Sequence, residues 1–152
     1  MKYMKRTISL VLAVLVVMSM MVIPAFAANT SDVDFWYYNA PTSSYNRITG
    51  RQKTDTTAVY VCVSESANNI VRTRAYGQNS AGTNYQNCTL SNGSIVDYVY
   101  CYEDVNHSIR TMINEYGWGY ASLGFRSTSS NADTVSGWWS PDSSRTYTIA
   151  TN

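Results

Sequence analysis

His107 is the sole histidine of the 152-residue chain. A Ser or Cys nucleophile activated by an imidazole would therefore have to use it, with a carboxylate to orient the ring. No Gly-x-Ser-x-Gly turn supports that reading. His107 also shares a period-two stripe with Ile109 and Ile113 at the start of a strand pattern, so a structural histidine is expected. Paired carboxylates could cleave a glycosidic bond, and Glu103, Asp104 and Glu115 are the candidates. Glu103-Asp104 reads more simply as the turn between a strand ending at Tyr102 and one centred on Ile109, and Glu115 precedes a second turn at Tyr116-Gly117. Arg72 and Arg74 share one strand face and could grip a carboxylate or phosphate; the plainer role is a solvated face meeting Asp97 or Glu65 across strands.

No Cys-x-x-Cys occurs, and acidic residues such as Asp32 with Asp34 or Asp133 with Asp142 are too sparse for calcium, so no metal is expected. No glycine-rich loop follows a strand and opens a helix, so no nucleotide or other cofactor is expected either. The aromatics are the more suggestive feature: Trp36-Tyr37-Tyr38, Tyr98-Tyr100-Tyr102, Trp118 between Tyr116 and Tyr120, and Trp138-Trp139. Neighbours on a strand face opposite sides, so one of Trp138 and Trp139 should point outward. Exposed rings suit stacking on sugars or partner surfaces. Trp118, Trp138, Trp139 and Tyr120 are taken as the candidate binding residues; most other tyrosines are read as core residues standing in for leucine.

These residues must be positioned by strands. Val59/Val61/Val63, Val71/Thr73/Ala75, Val96/Tyr98/Tyr100/Tyr102, Ile109/Thr111/Ile113 and Ala121/Leu123/Phe125 each alternate with period two. Shorter candidates cover Val33 to Tyr38, Arg47 to Lys53 and Arg145 to Ala150. Turn residues separate them at Asn68-Asn69, Gly77-Gln78-Asn79 and Ser140-Pro141-Asp142-Ser143. Asn92-Gly93 predicts a tight hairpin joining Cys88–Leu90 to a strand over Ile95–Tyr102. The expected fold is a single all-β antiparallel sandwich or barrel of about eight strands.

The first 27 residues read differently. Lys2, Lys5 and Arg6 precede an apolar run from Ile8 to Ile23, then Pro24 and Ala25-Phe26-Ala27. That order is the pattern of a secretory signal peptide cut between Ala27 and Ala28. Two regions follow: a signal peptide over 1–27 and a secreted all-β domain over 28–152, expected to be released outside the cell and to meet the membrane only during export. Its first residues, Ala28 to Asp32, are expected to be frayed.

Over 28–152 eight Lys and Arg stand against ten Asp and Glu, a net charge of −2 in place of +1 for the whole chain. That balance argues against nucleic acid and against simple electrostatic docking on anionic lipid. Cys62, Cys88 and Cys101 would all enter an oxidising space, but three is an odd number. In the expected hairpin Cys88 lies opposite Asp97, and Cys101 is four residues further on, roughly 13 Å at strand rise. A bridge needs Cα atoms within about 7 Å, so Cys88–Cys101 is disfavoured and Cys62–Cys101 or Cys62–Cys88 is preferred over it. Three buried thiols acting as small hydrophobes is the alternative.

Three stretches carry a resemblance: Arg51 to Val61, Asn114 to Leu123, and Val135 to Ser143 with its Trp-Ser-Pro-Asp-Ser motif. They resemble parts of uncharacterised small secreted β-rich proteins of Gram-positive bacteria. The resemblance implies a secreted β protein and assigns no site residue. The expected function is a non-enzymatic binding or interaction module using surface aromatics, with cell-wall glycan or a surface protein as partner. A secreted bacteriocin-like or membrane-active antagonist is one alternative, and a small glycan hydrolase built on Glu103, Asp104 and Glu115 is another.

Overall fold

The computed structural model describes residues 28–152, so the expected signal peptide, with Ala27 at its end, lies outside the described residues. Thirteen strands make up this part: β1 (Val33–Ala40), β2 (Asn46–Arg47), β3 (Arg51–Gln52), β4 (Val59–Ser66), β5 (Ile70–Gln78), β6 (Tyr85–Asn87), β7 (Thr89–Ser91), β8 (Ser94–Ile95), β9 (Val99–Tyr102), β10 (Asn106–Thr111), β11 (Tyr120–Ser127), β12 (Asp133–Ser140) and β13 (Thr148–Ile149). They form two sheets arranged as a sandwich. The first runs β1-β12-β4-β10-β7-β8, with β13 added in parallel to β10. The second runs β2-β11-β5-β6, with β3 also on β11 and β9 also on β5. The all-β sandwich expected from alternation is therefore what the chain forms. The strand number exceeds eight partly because segments expected to be continuous are interrupted, Arg47 to Lys53 giving β2 and β3 and Ile95–Tyr102 giving β8 and β9, and partly because β6 and β12 form where no strand was expected.

The core follows the period-two stripes. Val59, Val61 and Val63 of β4 face Val71 and Ala75 of β5 and Ala121, Leu123 and Phe125 of β11 in one buried cluster. Burial of each of these valine, leucine and phenylalanine side chains contributes about 1.5–3 kcal/mol. Phe35 of β1 stacks on Phe125 of β11 at 4.9 Å between ring centroids, joining the two sheets.

Asn92 and Gly93 adopt positive φ of 51° and 80°, and Leu90 pairs with Ile95 and Ser91 with Ser94, so the two-residue hairpin forms as read. The strand beyond it does not continue to Tyr102. After Val96 donates its N–H to Thr89 O at 3.0 Å, the Asn87 side chain takes the Val96 carbonyl at 2.7 Å and Arg74 Nε takes the Asp97 carbonyl at 2.5 Å. Side chains thus replace the ladder, and the chain leaves for the second sheet as β9.

That crossing also corrects the cysteine reading. Cys88 and Cys101 belong to the core, with Cys101 opposite Val71. Cys62 alternates with Val61 and Val63 and so turns to the outer face of the first sheet, opposite Trp138 and Asn106. The Cys62–Cys101 bridge is not formed; all three thiols are free and buried. Burial raises the pKa of each, and that of Cys101 reaches about 12.

The stretch expected to fray is held instead. Asn29 N–H donates to Asp142 Oδ2 at 2.7 Å, Asn29 Nδ2 donates to Gln52 O at 2.8 Å, and Arg51 donates to Asn29 Oδ1 at 3.0 Å. Asp142 is wholly buried and accepts from Lys53 Nζ at 3.0 Å, which also donates to Thr57 O and Pro141 O. Burial alone would raise the Asp142 carboxyl pKa, but hydrogen bonds from Thr54, Asn29 and Lys53 overcome it and hold the value at about 2.

Candidate functional site

The four aromatics singled out from sequence do not form one site. Trp139 is 2 % exposed and lies in the core, because the alternation of β12 puts it opposite Val61; it is not a surface binding residue. Trp138 turns outward beside Cys62, half-buried, and donates Nε1–H to Tyr60 OH at 2.7 Å, which in turn donates to Asn106 Oδ1 at 2.6 Å. Trp118 packs partly buried against the core, its side chain directly above Gly77. Tyr120 is half-buried on β11, paired with Gln52 and Gln78. Trp138 is thus on the outside of the first sheet, while Tyr120 is on β11 of the second and Trp118 is in the loop just before β11.

The candidate catalytic groups are likewise dispersed. His107 is buried opposite Val61, and its Nε2 accepts the Tyr102 N–H at 3.0 Å, which engages that lone pair. Burial lowers its pKa, with the Thr148 backbone opposing in part. Glu103 accepts the Ser66 N–H at 3.0 Å, next to the β4–β5 turn. Glu115 is exposed in the turn between β10 and β11.

The outer face of the second sheet is different. Register places Arg47 and Arg74 on either side of Gly124, and places Arg72 directly opposite Arg126. Paired residues share a face, so strands β2, β5 and β11 present four guanidinium groups together. Arg72 lies opposite Tyr100, and Tyr76 and Tyr85 stand on the same face at the β5–β6 edge. Gly124 is required at the centre: a Cβ there would come within 2.7 Å of the Tyr76 ring.

Tyrosines interleave with these cations. Arg47 lies 3.5 Å from the Tyr85 ring centroid and 5.6 Å from that of Tyr76. Arg74 and Arg126 lie 3.8 and 4.9 Å from the same ring, Tyr45. Arg126 and Arg72 lie 5.7 and 5.4 Å from Tyr98, whose hydroxyl meets that of Tyr100 at 3.4 Å. Each guanidinium–ring contact contributes about 0.5–1 kcal/mol at an exposed site. The field reaches the phenols: the Tyr98 hydroxyl, then Arg72 and Arg126, lower the pKa of Tyr100. Tyr45 moves the other way, because its burial outweighs Arg126 and Arg74.

Two clefts bear on the choice of site. One of about 400 Å³ between the β1 and β2–β3 edges is mainly apolar, lined by Val33, Phe35, Tyr38 and Ile48. The other, of about 430 Å³, opens on the basic face among Tyr45, Arg47, Arg74, Tyr76, Tyr85 and Arg126, and no carboxylate lines it. Asp97 pairs with Arg74 at its margin. Arg47 is satisfied by Gln78 Oε1 at 2.9 Å and Gly82 O at 3.2 Å, and Arg72 donates to Ser127 O at 2.8 Å. Among the described residues the buried Nε atoms of Arg126 and Arg72 have no acceptor, and the buried Tyr45 hydroxyl has no partner. The basic cleft therefore holds donors waiting for an acceptor, which the apolar one does not.

Sequence reading found Arg72 and Arg74 on one face but missed Arg47, Arg126 and Tyr45 as their companions. The alternation of Arg126 with Leu123 and Phe125 did mark it as outward. Nothing local marks which strand it lies beside. No curated protein and no solved structure matches the chain. The profile of one family, described as Protein of unknown function (DUF2712), matches residues 23–143, and the chain belongs to that family.

Proposed function

We propose that the chain is an extracellular binding module without catalytic activity of its own, and that it engages its ligand through the arginine–tyrosine face of the second sheet. The observation that carries this reading is the gathering of four arginines and their tyrosines on one face, with Arg72 and Arg126 held directly opposite each other. Like charges opposed across a ladder cost stability. The ring contacts offset that cost, and a basic face of this kind on a region with a net charge of −2 suits a ligand that brings negative charge or hydrogen-bond acceptors. Tyrosine rings add area at low entropic cost and sequence-tolerant stacking on sugars or partner surfaces. Trp138 and Trp118, both half-buried, are tied down by hydrogen bonding and by packing respectively and serve this role less well.

The test is retention of the purified protein on cell-wall material, on immobilised glycans and on surface proteins. Retention should fall on at least one of these when Arg74 and Arg126 are both replaced by Gln, with the near-ultraviolet spectrum unchanged. Equal retention of the double variant, or no retention of the parent on any matrix, would overturn the assignment.

A further inference from the structure

We infer that the cleft around Arg126 is an oxyanion site, taking a carboxylate, phosphate or sulfate group carried on a hydroxyl-rich polymer. This rests on the binding reading above and narrows it to one ligand chemistry. Arg126 is half-buried, and among the described residues its guanidinium has two aromatic contacts, to Tyr45 and Tyr98, but no hydrogen-bond acceptor and no ion pair. Its Nε is shut off from water and has no partner among the described residues. A partly desolvated cation in that state gains most from a charged acceptor that can take two of its N–H groups at once, and the planar fork matches oxyanions of this kind.

Further donors converge on the same place. The Tyr45 hydroxyl is buried and unpartnered in the same cleft. Arg74 lies on the Tyr45 ring with Arg126, and its acid partner Asp97 is half-exposed at the rim, where an incoming anion can compete for it. Ser43, Ser44 and Asn87 line the remainder and offer groups of both hydrogen-bonding senses to hydroxyls. The volume, about 430 Å³, falls within the range of ligand clefts and exceeds what a lone ion fills. Hence the oxyanion is expected on a carrier that lies along the cleft toward Tyr85, which is 52 % exposed. A neutral sugar would leave the Arg126 charge uncompensated.

Affinity electrophoresis of the full protein through gels containing dextran, dextran sulfate, polygalacturonate or poly(glycerol phosphate) tests this. Retardation is expected in at least one acidic gel and not in dextran, and the acid that retards identifies the carrier as sulfate, carboxylate or phosphate. Arg126→Gln should weaken it about tenfold or more. Arg126→Lys, which keeps the charge without the fork, should restore only part. Arg110→Gln removes the same charge from an exposed position on β10 of the other sheet and should leave retardation unchanged. Equal losses in Arg126→Gln and Arg110→Gln would reduce the effect to net charge and overturn the site. Retardation by dextran that ignores Arg126 would overturn the oxyanion site while leaving the binding module standing. No retardation in any gel, with retention on cell-wall material intact, would do the same. No retardation and no retention would overturn both.

Discussion

Arg72 and Arg126 occupy directly opposed positions on the β5–β11 ladder, and the one ion pair on their face, among the described residues, is Arg74–Asp97. Two guanidinium groups thus face the same solvent with tyrosine rings, not carboxylates, as their main neighbours. Two small terms oppose each other here. The like-charge pair costs about 0.2–1 kcal/mol, and the ring contacts return about 0.5–1 kcal/mol each.

Arg126→Gln loses two ring contacts and one like-charge opposition, so it should cost less than about 2 kcal/mol of stability, while it weakens binding to the ligand of the face. Urea unfolding of parent and variant, run beside the retention assay, separates the two effects. A stability loss large enough to account for lost binding would contradict the assignment of Arg126 to the ligand.

Trp138 and Trp139 are adjacent, yet their replacements should diverge. Trp139→Ala empties a core position and should cost about 3–5 kcal/mol, a large part of the total stability of a domain this size. Trp138→Phe keeps a ring and removes one hydrogen bond to Tyr60, at about 1 kcal/mol. Denaturant midpoints check both, and similar midpoints would be inconsistent with opposite faces.

The carboxyl of Asp142 has a folded pKa of about 2, below its ordinary value of 3.8. Its contribution, roughly 2 kcal/mol, is fully present above pH 4 and is lost as the pH falls from 4 toward 2. Acid unfolding should steepen in that window. Asp142→Asn should remove this pH dependence and, by leaving Lys53 buried without its carboxylate, cost about 3–5 kcal/mol at neutral pH. Unfolding free energies measured from pH 2 to 7 supply the comparison.

The three thiols should resist alkylation at pH 8 in the native protein, since burial raises the pKa of each and only a thiolate reacts. Mass spectrometry after denaturation in N-ethylmaleimide should show three adducts. A single adduct would mean that two of the cysteines are bridged.

Tyr100 should ionise earlier than a free phenol on alkaline titration, because Tyr98 and then Arg72 and Arg126 lower its pKa, while Tyr45 should ionise later than one. Ultraviolet titration should lose an early phase in Tyr100→Phe, and Arg126→Gln should move that phase to higher pH. An unchanged early phase in both variants would show that the arginine field does not reach Tyr100.

Sequence alone determined the β-class and the inward stripes, because a period of two is written in consecutive residues such as Val59, Val61 and Val63. It determined the Asn92-Gly93 turn for the same reason: the φ preference belongs to those two residues. It also marked the outward sense of Arg72, Arg74 and Arg126. Only the tertiary structure decided that these three share a face with Arg47, that Cys62 and Cys101 lie on different faces, and that Trp139 rather than Trp138 is the inner one. These outcomes depend on register between strands as distant in the chain as β2 and β11. Register is set by which stripes close the core together, not by any local residue preference. The net charge of −2 is likewise a sum over composition, and it concealed a face where cations collect. Where charges gather on a sheet is a property of pairing, and pairing is what the fold supplied.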